Sequence, residues 1–184
     1  MPIVIVDNES SYTKELVNLF GSHTVRIINY RELSSDAIQS GDTVILTGGH
    51  NEPILWHETT FAAEIEIVKQ HKGPVIGICL GFELIAHVYG THLHLLNRRR
   101  KGELFLTATG KGAIPIPTRV SVFENHNWSV RTLKRPLIAL ATSEDGVEIL
   151  KHRTKPIYGM QFHPEKSSPE GLALLKTILE QVHS

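Results

Sequence analysis

The sequence predicts a three-layer α/β domain: an open, mostly parallel sheet with helices on both faces, extended in its second half by antiparallel strands. Three observations carry this. Through roughly the first ninety residues, short β-branched runs alternate with segments of helical periodicity, the pattern of parallel strands joined by crossover helices. From Glu103 onward, strand-type runs follow one another with turns such as Glu144-Asp145-Gly146 between them. Finally, 184 residues suffice for one well-filled core but not for two ordinary ones, and no repeat, low-complexity segment or linker divides the chain. Residues 1–184 therefore read as a single domain.

Ile3 to Val6 is a buried strand, followed by Tyr12, Leu16, Leu19 and Phe20 at helical spacing behind a Ser10 or Ser11 cap. Val25 to Ile28 and Asp42 to Leu46 are the next strands, the second ended by Thr47-Gly48-Gly49. Phe61 to Gln70 is a helix with Ile65 and Val68 inward, stopped by Lys72-Gly73-Pro74. Val75 to Ile78 is again a strand, and Leu80 to Tyr89 a helix with Gly90 as its cap. The later strand runs are Leu104 to Thr107, Arg119 to Phe123, Leu137 to Ala141, Val147 to Leu150 and Ile157 to Phe162. A last helix, Pro169 to Val182, turns Leu172, Leu175 and Ile178 inward.

Composition narrows the partners. Lysine plus arginine equal aspartate plus glutamate, 19 against 19, so no basic field argues for nucleic acid. No window approaches the length needed to cross a bilayer, and a single cysteine cannot form an internal disulfide. The expectation is a cytoplasmic protein with one site for a small-molecule substrate.

That cysteine, Cys79, lies in VIGICLGFELIA between Gly77 and Gly81, where a strand becomes a helix. Such a turn projects its residue from the carboxyl edge of the sheet, where open α/β folds place ligands, and flanking side chains would block the tight crossing. The following helix aims its positive end at the sulfur, which favours thiolate. A buried cysteine filling space is the alternative. A nucleophilic thiol needs a base, and His163 in YGMQFHPEK closes the last strand run of a sheet that would present it at the same edge. Glu165 follows two residues later, on the same side of an extended segment, where it can orient the imidazole.

Together, GICLG at Gly77 to Gly81 and QFHPE at Gln161 to Glu165 resemble the class I, or triad, glutamine amidotransferases, over nearly the whole chain. VDNESSYTKELVNLF resembles the opening of the anthranilate and aminodeoxychorismate synthase glutaminase subunits. ICLGFELIAHVYG and VFENHNWSV resemble the small glutaminase subunit of GMP synthetase. LTGGH sits where the family has its oxyanion loop. The resemblance implies a flavodoxin-like fold, no cofactor, and catalysis by Cys79, His163 and Glu165, with an oxyanion hole from the backbone of Gly49 and Leu80. It further implies that Gly48, His50, Glu83, Asn127 and Trp128 meet L-glutamine, and that the ammonia released passes to a separate synthase subunit.

The chain departs from the family at three points. Glu83 stands where relatives have glutamine, and its charge would oppose thiolate formation. His50 and Asn51 replace the proline and glycine usual after the paired glycines, and Asn127-Trp128 replaces the serine usual after the histidine of VFENHNW. Glu83 and the altered loop keep a γ-glutamyl amine hydrolase with the same triad as the second reading; a non-catalytic binding module is the third, against which the joint retention of Cys79, His163 and Glu165 argues. Arg98, Arg99, Arg100 and Lys101 read as a solvated loop or as a dock for an acidic partner. No histidine spacing forms a metal site, with His92 and His94 two apart and His50 and His57 seven apart.

Overall fold

A computed structural model describes residues 2–21, 24–49, 52–112 and 114–183. One sheet of nine strands runs in the order β2-β1-β3-β4-β9-β8-β7-β5-β6. Its parallel half comprises β1 (Ile3–Asp7), β2 (Val25–Asn29), β3 (Thr43–Leu46), β4 (Val75–Ile78) and β9 (Ile157–Met160). Beyond β9 follow β8 (Val147–His152), β7 (Leu137–Thr142), β5 (His94–Ala108) and β6 (Val120–Ser129), all paired antiparallel. The α/β architecture expected from the sequence is the one observed.

Two-residue alternation in the strands builds two cores. Ile3, Ile5, Ile45, Ile76 and Ile78 face α1 (Thr13–Asn18) and α4 (Pro169–His183), meeting Leu16, Leu174, Leu175 and Ile178. Val6, Val44, Leu46 and Val75 face α2 (Ala62–Gln70) and α3 (Leu80–Val88), meeting Ile67, Val68, Leu84 and Ile85. These strands are buried on both sides, as a parallel sheet covered by helices requires. Among the described residues no helix is long and apolar enough to cross a membrane.

Local details depart from expectation in three places. Helix α1 begins at Thr13 with Tyr12 as its N-cap, while the Ser10 hydroxyl accepts from the Tyr12 N–H in the preceding turn. The last strand run ends at Met160, because Phe162 and His163 leave the ladder. Arg98 to Lys101 are not a loop: they belong to β5, which begins ten residues before Leu104. Their charge masks the strand signal; pairing of Arg100 and Lys101 with β6 supplies what local propensity does not, while Arg98 and Arg99 lie in the irregular stretch just before them.

The sheet order matters most at its centre. β4 and β9 are parallel neighbours, with Gly77 opposite Gly159 and Ile78 opposite Met160, so both strands end at one level. Beyond that edge, β6 returns to meet the segment after β9. The His163 N–H donates to the Phe123 carbonyl at 2.8 Å, forming an antiparallel bridge between the two residues.

Candidate active site

Cys79 is the single residue between β4 and α3, and its backbone carries the turn at φ 50°, ψ −102°. A positive φ without glycine costs on the order of 1–3 kcal/mol and persists only where surrounding contacts impose it. Those contacts are visible. The Cys79 N–H donates to the Met160 carbonyl at 2.8 Å, and its carbonyl accepts from the Glu83 N–H at 3.0 Å. A Cβ on Gly81 would lie 2.3 Å from the Leu46 oxygen, and one on Gly77 would lie 2.3 Å from the Gly81 oxygen. Both glycines are therefore required by the close approach of α3 to the sheet.

His163 reaches the same point from β9. A Cβ on Gly48 would sit 2.8 Å from His163 Cε1 and 3.3 Å from Cys79 Cβ, so thiol and imidazole converge on the Gly48 backbone. His163 Nδ1 lies 2.9 Å from Glu165 Oε1, and both side chains are buried. Since a carboxylate only accepts, this bond assigns the proton to Nδ1 and leaves Nε2 as the basic nitrogen. The segment is pinned: Ser167 Oγ donates to the His163 carbonyl at 2.6 Å and accepts from the Phe123 N–H at 2.9 Å. The Tyr12 ring packs edge-on against the imidazole with centroids 4.9 Å apart.

Two cavities adjoin at this point. One, of about 240 Å³, is lined by Cys79, Leu80, Gly49, Glu83, Asn127 and Trp128 among others. The second, of about 250 Å³, holds His163 and Tyr12, and shares Gly49, Arg99 and Asn125 with the first. Among the described residues no backbone carbonyl accepts from the N–H of Gly49 or of Leu80. A Cβ on Gly49 would lie 2.5 Å from the Asn8 carbonyl oxygen, so only glycine lets this loop pass. His50, expected beside substrate, lies outside the described residues.

With this geometry the sequence comparisons agree. The family model for class-I glutamine amidotransferase matches residues 4–182. The chain belongs to the class I glutamine amidotransferase family. The glutamine-hydrolysing GMP synthase subunit of Picrophilus torridus is 28% identical, the match covering 98% of each chain. Anthranilate synthase component 2 of Lactococcus lactis is 27% identical, over 98% of this chain and 95% of that one. The crystal structure of a GMP synthase subunit protein from Thermoplasma acidophilum shares the fold, with a TM-score of 0.83 at 24% identity over all of this chain and 94% of that one.

Electrostatics correct one expectation about this amidotransferase site. The thiol is not poised as thiolate: burial pushes it well above its ordinary range, and Glu83, Glu124 and Glu165 add to the rise. The Leu80 N–H at the start of α3 opposes them without prevailing. Glu83 is itself buried, accepts from Gln161 Nε2 at 3.1 Å, and is raised to about 7 chiefly by loss of solvation. Its negative charge is thus present in only part of the molecules near neutrality, and its opposition to the thiolate grows as pH rises.

Several residues around the site escape sequence reasoning. The Asn8 side-chain amide donates to the Thr47 carbonyl and to Glu64 Oε1, and its N–H donates to Thr47 Oγ1, which ties the end of β1 to the loop holding Gly48 and Gly49. The Asn125 carbonyl faces Cys79 Sγ at 3.9 Å, while its amide donates to the Tyr12 hydroxyl at 3.0 Å. His126 Nδ1 donates to the Trp128 carbonyl at 2.6 Å within β6, beside the cavity wall that Asn127 and Trp128 line. His126 Nε2 faces Glu124 Oε2 at 3.0 Å, and Glu124 meets the carboxyl of Glu148 in the interior. For this group the sequence signal is confined to two stretches, VFENHNW and VDNESSYTKELVNLF, which contain these residues without assigning roles to Asn8 or His126; for Glu64 and Glu148 there is none.

Proposed function

We propose that the protein is a glutaminase that releases ammonia from the side-chain amide of L-glutamine for a synthase partner. Cys79 Sγ attacks the amide carbon while His163 Nε2 takes the thiol proton, giving a tetrahedral oxyanion. The N–H groups of Gly49 and Leu80 hold that oxyanion, a contribution on the order of 3 kcal/mol per donor. The C–N bond then breaks, His163 returns its proton to the departing nitrogen, and ammonia leaves a γ-glutamyl thioester. Water, deprotonated by the same nitrogen, attacks the thioester and releases glutamate with the thiol restored. Glu165 holds the imidazole in the tautomer that both halves need and balances its transient positive charge.

Support for this reading comes above all from one observation: adjacent parallel strands ending in register bring Cys79 and the hydrogen-bonded His163–Glu165 pair to the same edge. Because burial keeps the thiol protonated at rest, proton removal accompanies attack and is the task of the base. Matched relatives are subunits of GMP synthase and anthranilate synthase, which supports a synthase as the ammonia acceptor.

Glu83 favours a second reading, hydrolysis of γ-glutamyl amines, since a carboxylate in the cavity suits an ammonium group. Ammonia release from L-glutamine and amine release from γ-glutamyl amines, each compared with Cys79→Ala, separate the two. Cys79-dependent ammonia release supports the glutaminase; turnover of γ-glutamyl amines alone replaces it with the hydrolase. If neither substrate turns over, with or without a candidate synthase, the catalytic reading fails.

A further inference from the structure

The geometry points to Arg99 as the residue that binds the α-carboxylate of the γ-glutamyl substrate. This inference rests on the thioester chemistry proposed above and adds how the rest of the substrate is recognised. Strand β5 is irregular where it passes the site: Leu95 pairs with Trp128 and Arg100 with His126, so five steps on β5 are set against two on β6. The surplus bulges out, and a bulge of this kind re-aims side chains beside active sites. Arg100, at its far end, is anchored to Glu144 and Asp145. Arg99, exposed and next to it, borders the outer cleft that holds Arg100, Glu144 and Asp145, but it also lines both the cavity of Cys79 and that of His163.

The charges complete the argument. Among the described residues lining the Cys79 cavity, Arg99 is the one lysine or arginine, whereas Glu52 and Glu83 also line it. No carboxylate among the described residues pairs with Arg99, in contrast to Arg100 beside it. A cavity with a nucleophile, an unpaired guanidinium and carboxyl groups on its wall matches an α-amino acid whose carboxylate and ammonium lie at one end and whose reactive carbonyl lies at the other. Guanidinium suits the carboxylate, because its planar fork makes two parallel charge-assisted hydrogen bonds. Peptide-bound glutamine, lacking a free carboxylate, would forfeit them.

Covalent labelling tests this without requiring turnover or a partner. Two probes are compared on the full chain: the diazoketone analogue of L-glutamine, and the same molecule with its α-carboxylate converted to a primary amide. Labelling of Cys79 is followed by intact-mass spectrometry in wild type, Arg99→Ala and Arg99→Lys, with circular dichroism to verify the fold. The expected result is a loss of about 10- to 100-fold in labelling rate by the carboxylate probe in Arg99→Ala, the range for one charged hydrogen-bonding contact. Partial recovery is expected in Arg99→Lys, and the amide probe should react slowly and equally with all three. An unchanged preference for the carboxylate in Arg99→Ala, or an equal loss with both probes, overturns the role of Arg99 while leaving the thioester chemistry standing. If the wild-type thiol reacts with neither probe, the glutaminase reading falls and this inference with it.

Discussion

Replacing Glu83 by glutamine removes a buried charge at nearly constant shape, and its effect follows from the structure. The native carboxyl is raised from 4.5 to about 7 because it is desolvated, with the Gln161 amide only partly compensating. The unfolded chain titrates near the ordinary value, so between about pH 4.5 and 7 the native state holds a proton that the unfolded state has lost. By linkage this part of the stability is fully present below the unfolded value and disappears as pH rises through the native one. At about 1.4 kcal/mol per tenfold change in equilibrium, the difference is about 3 kcal/mol. Glutamine keeps the oxygen that accepts from Gln161 and has no charge to desolvate. Urea denaturation at pH 5 and pH 8 measures the consequence: part of the loss has already occurred at pH 5, so the loss of stability between the two pH values should shrink by about 2.5 kcal/mol in Glu83→Gln. A residual slope should remain from Glu64 and Glu124, each also raised to about 7, and from Glu148, pushed well above its ordinary range by burial and by the neighbouring Glu124. The same substitution removes the largest charge contribution holding the thiol up, so the pH midpoint for alkylation of Cys79 by iodoacetamide should move down. An unchanged difference between pH 5 and pH 8, or an alkylation midpoint that stays or rises, would refute the reasoning.

Other expectations test the packing and the triad. Gly48→Ala would push a methyl against His163 Cε1, so ammonia release should fall by at least about tenfold with a change in unfolding free energy under about 1 kcal/mol; both are measured on the same preparation. Gly81→Ala places its methyl against the Leu46 backbone oxygen, which cannot yield as a side chain would, and thermal denaturation should show a loss of about 3 kcal/mol or more. Glu165→Gln should lower kcat for glutamine by about 10²- to 10⁴-fold with little change in KM, because it disturbs the tautomer and the transient cation and not substrate binding.

The sequence by itself determined the frame and the reacting groups. β-branched runs alternating with helical spacing specify the parallel half, since that periodicity is a local property of strands and helices. The glycines around Cys79 mark the turn because backbone contact excludes side chains there, a constraint that survives in the sequence as missing Cβ atoms. His163 and Glu165 are legible as neighbours two residues apart, although a 3-10 turn over Pro164–Lys166, and not the extended segment expected, brings the carboxylate back to the imidazole. Tertiary structure decided what depends on elements far apart in the chain. Arg99 looks like any member of a charged run until the bulge against β6 sets it on the wall of the Cys79 and His163 cavities. For the resting state of the thiol, the helix end and the opposing Glu83 are both nearby, readable influences, whereas the further opposing carboxyl of Glu124 arrives from a distant strand. Desolvation has no local signature at all: it depends on how much protein the completed fold sets around a group, and at Cys79 that outweighs the helix end.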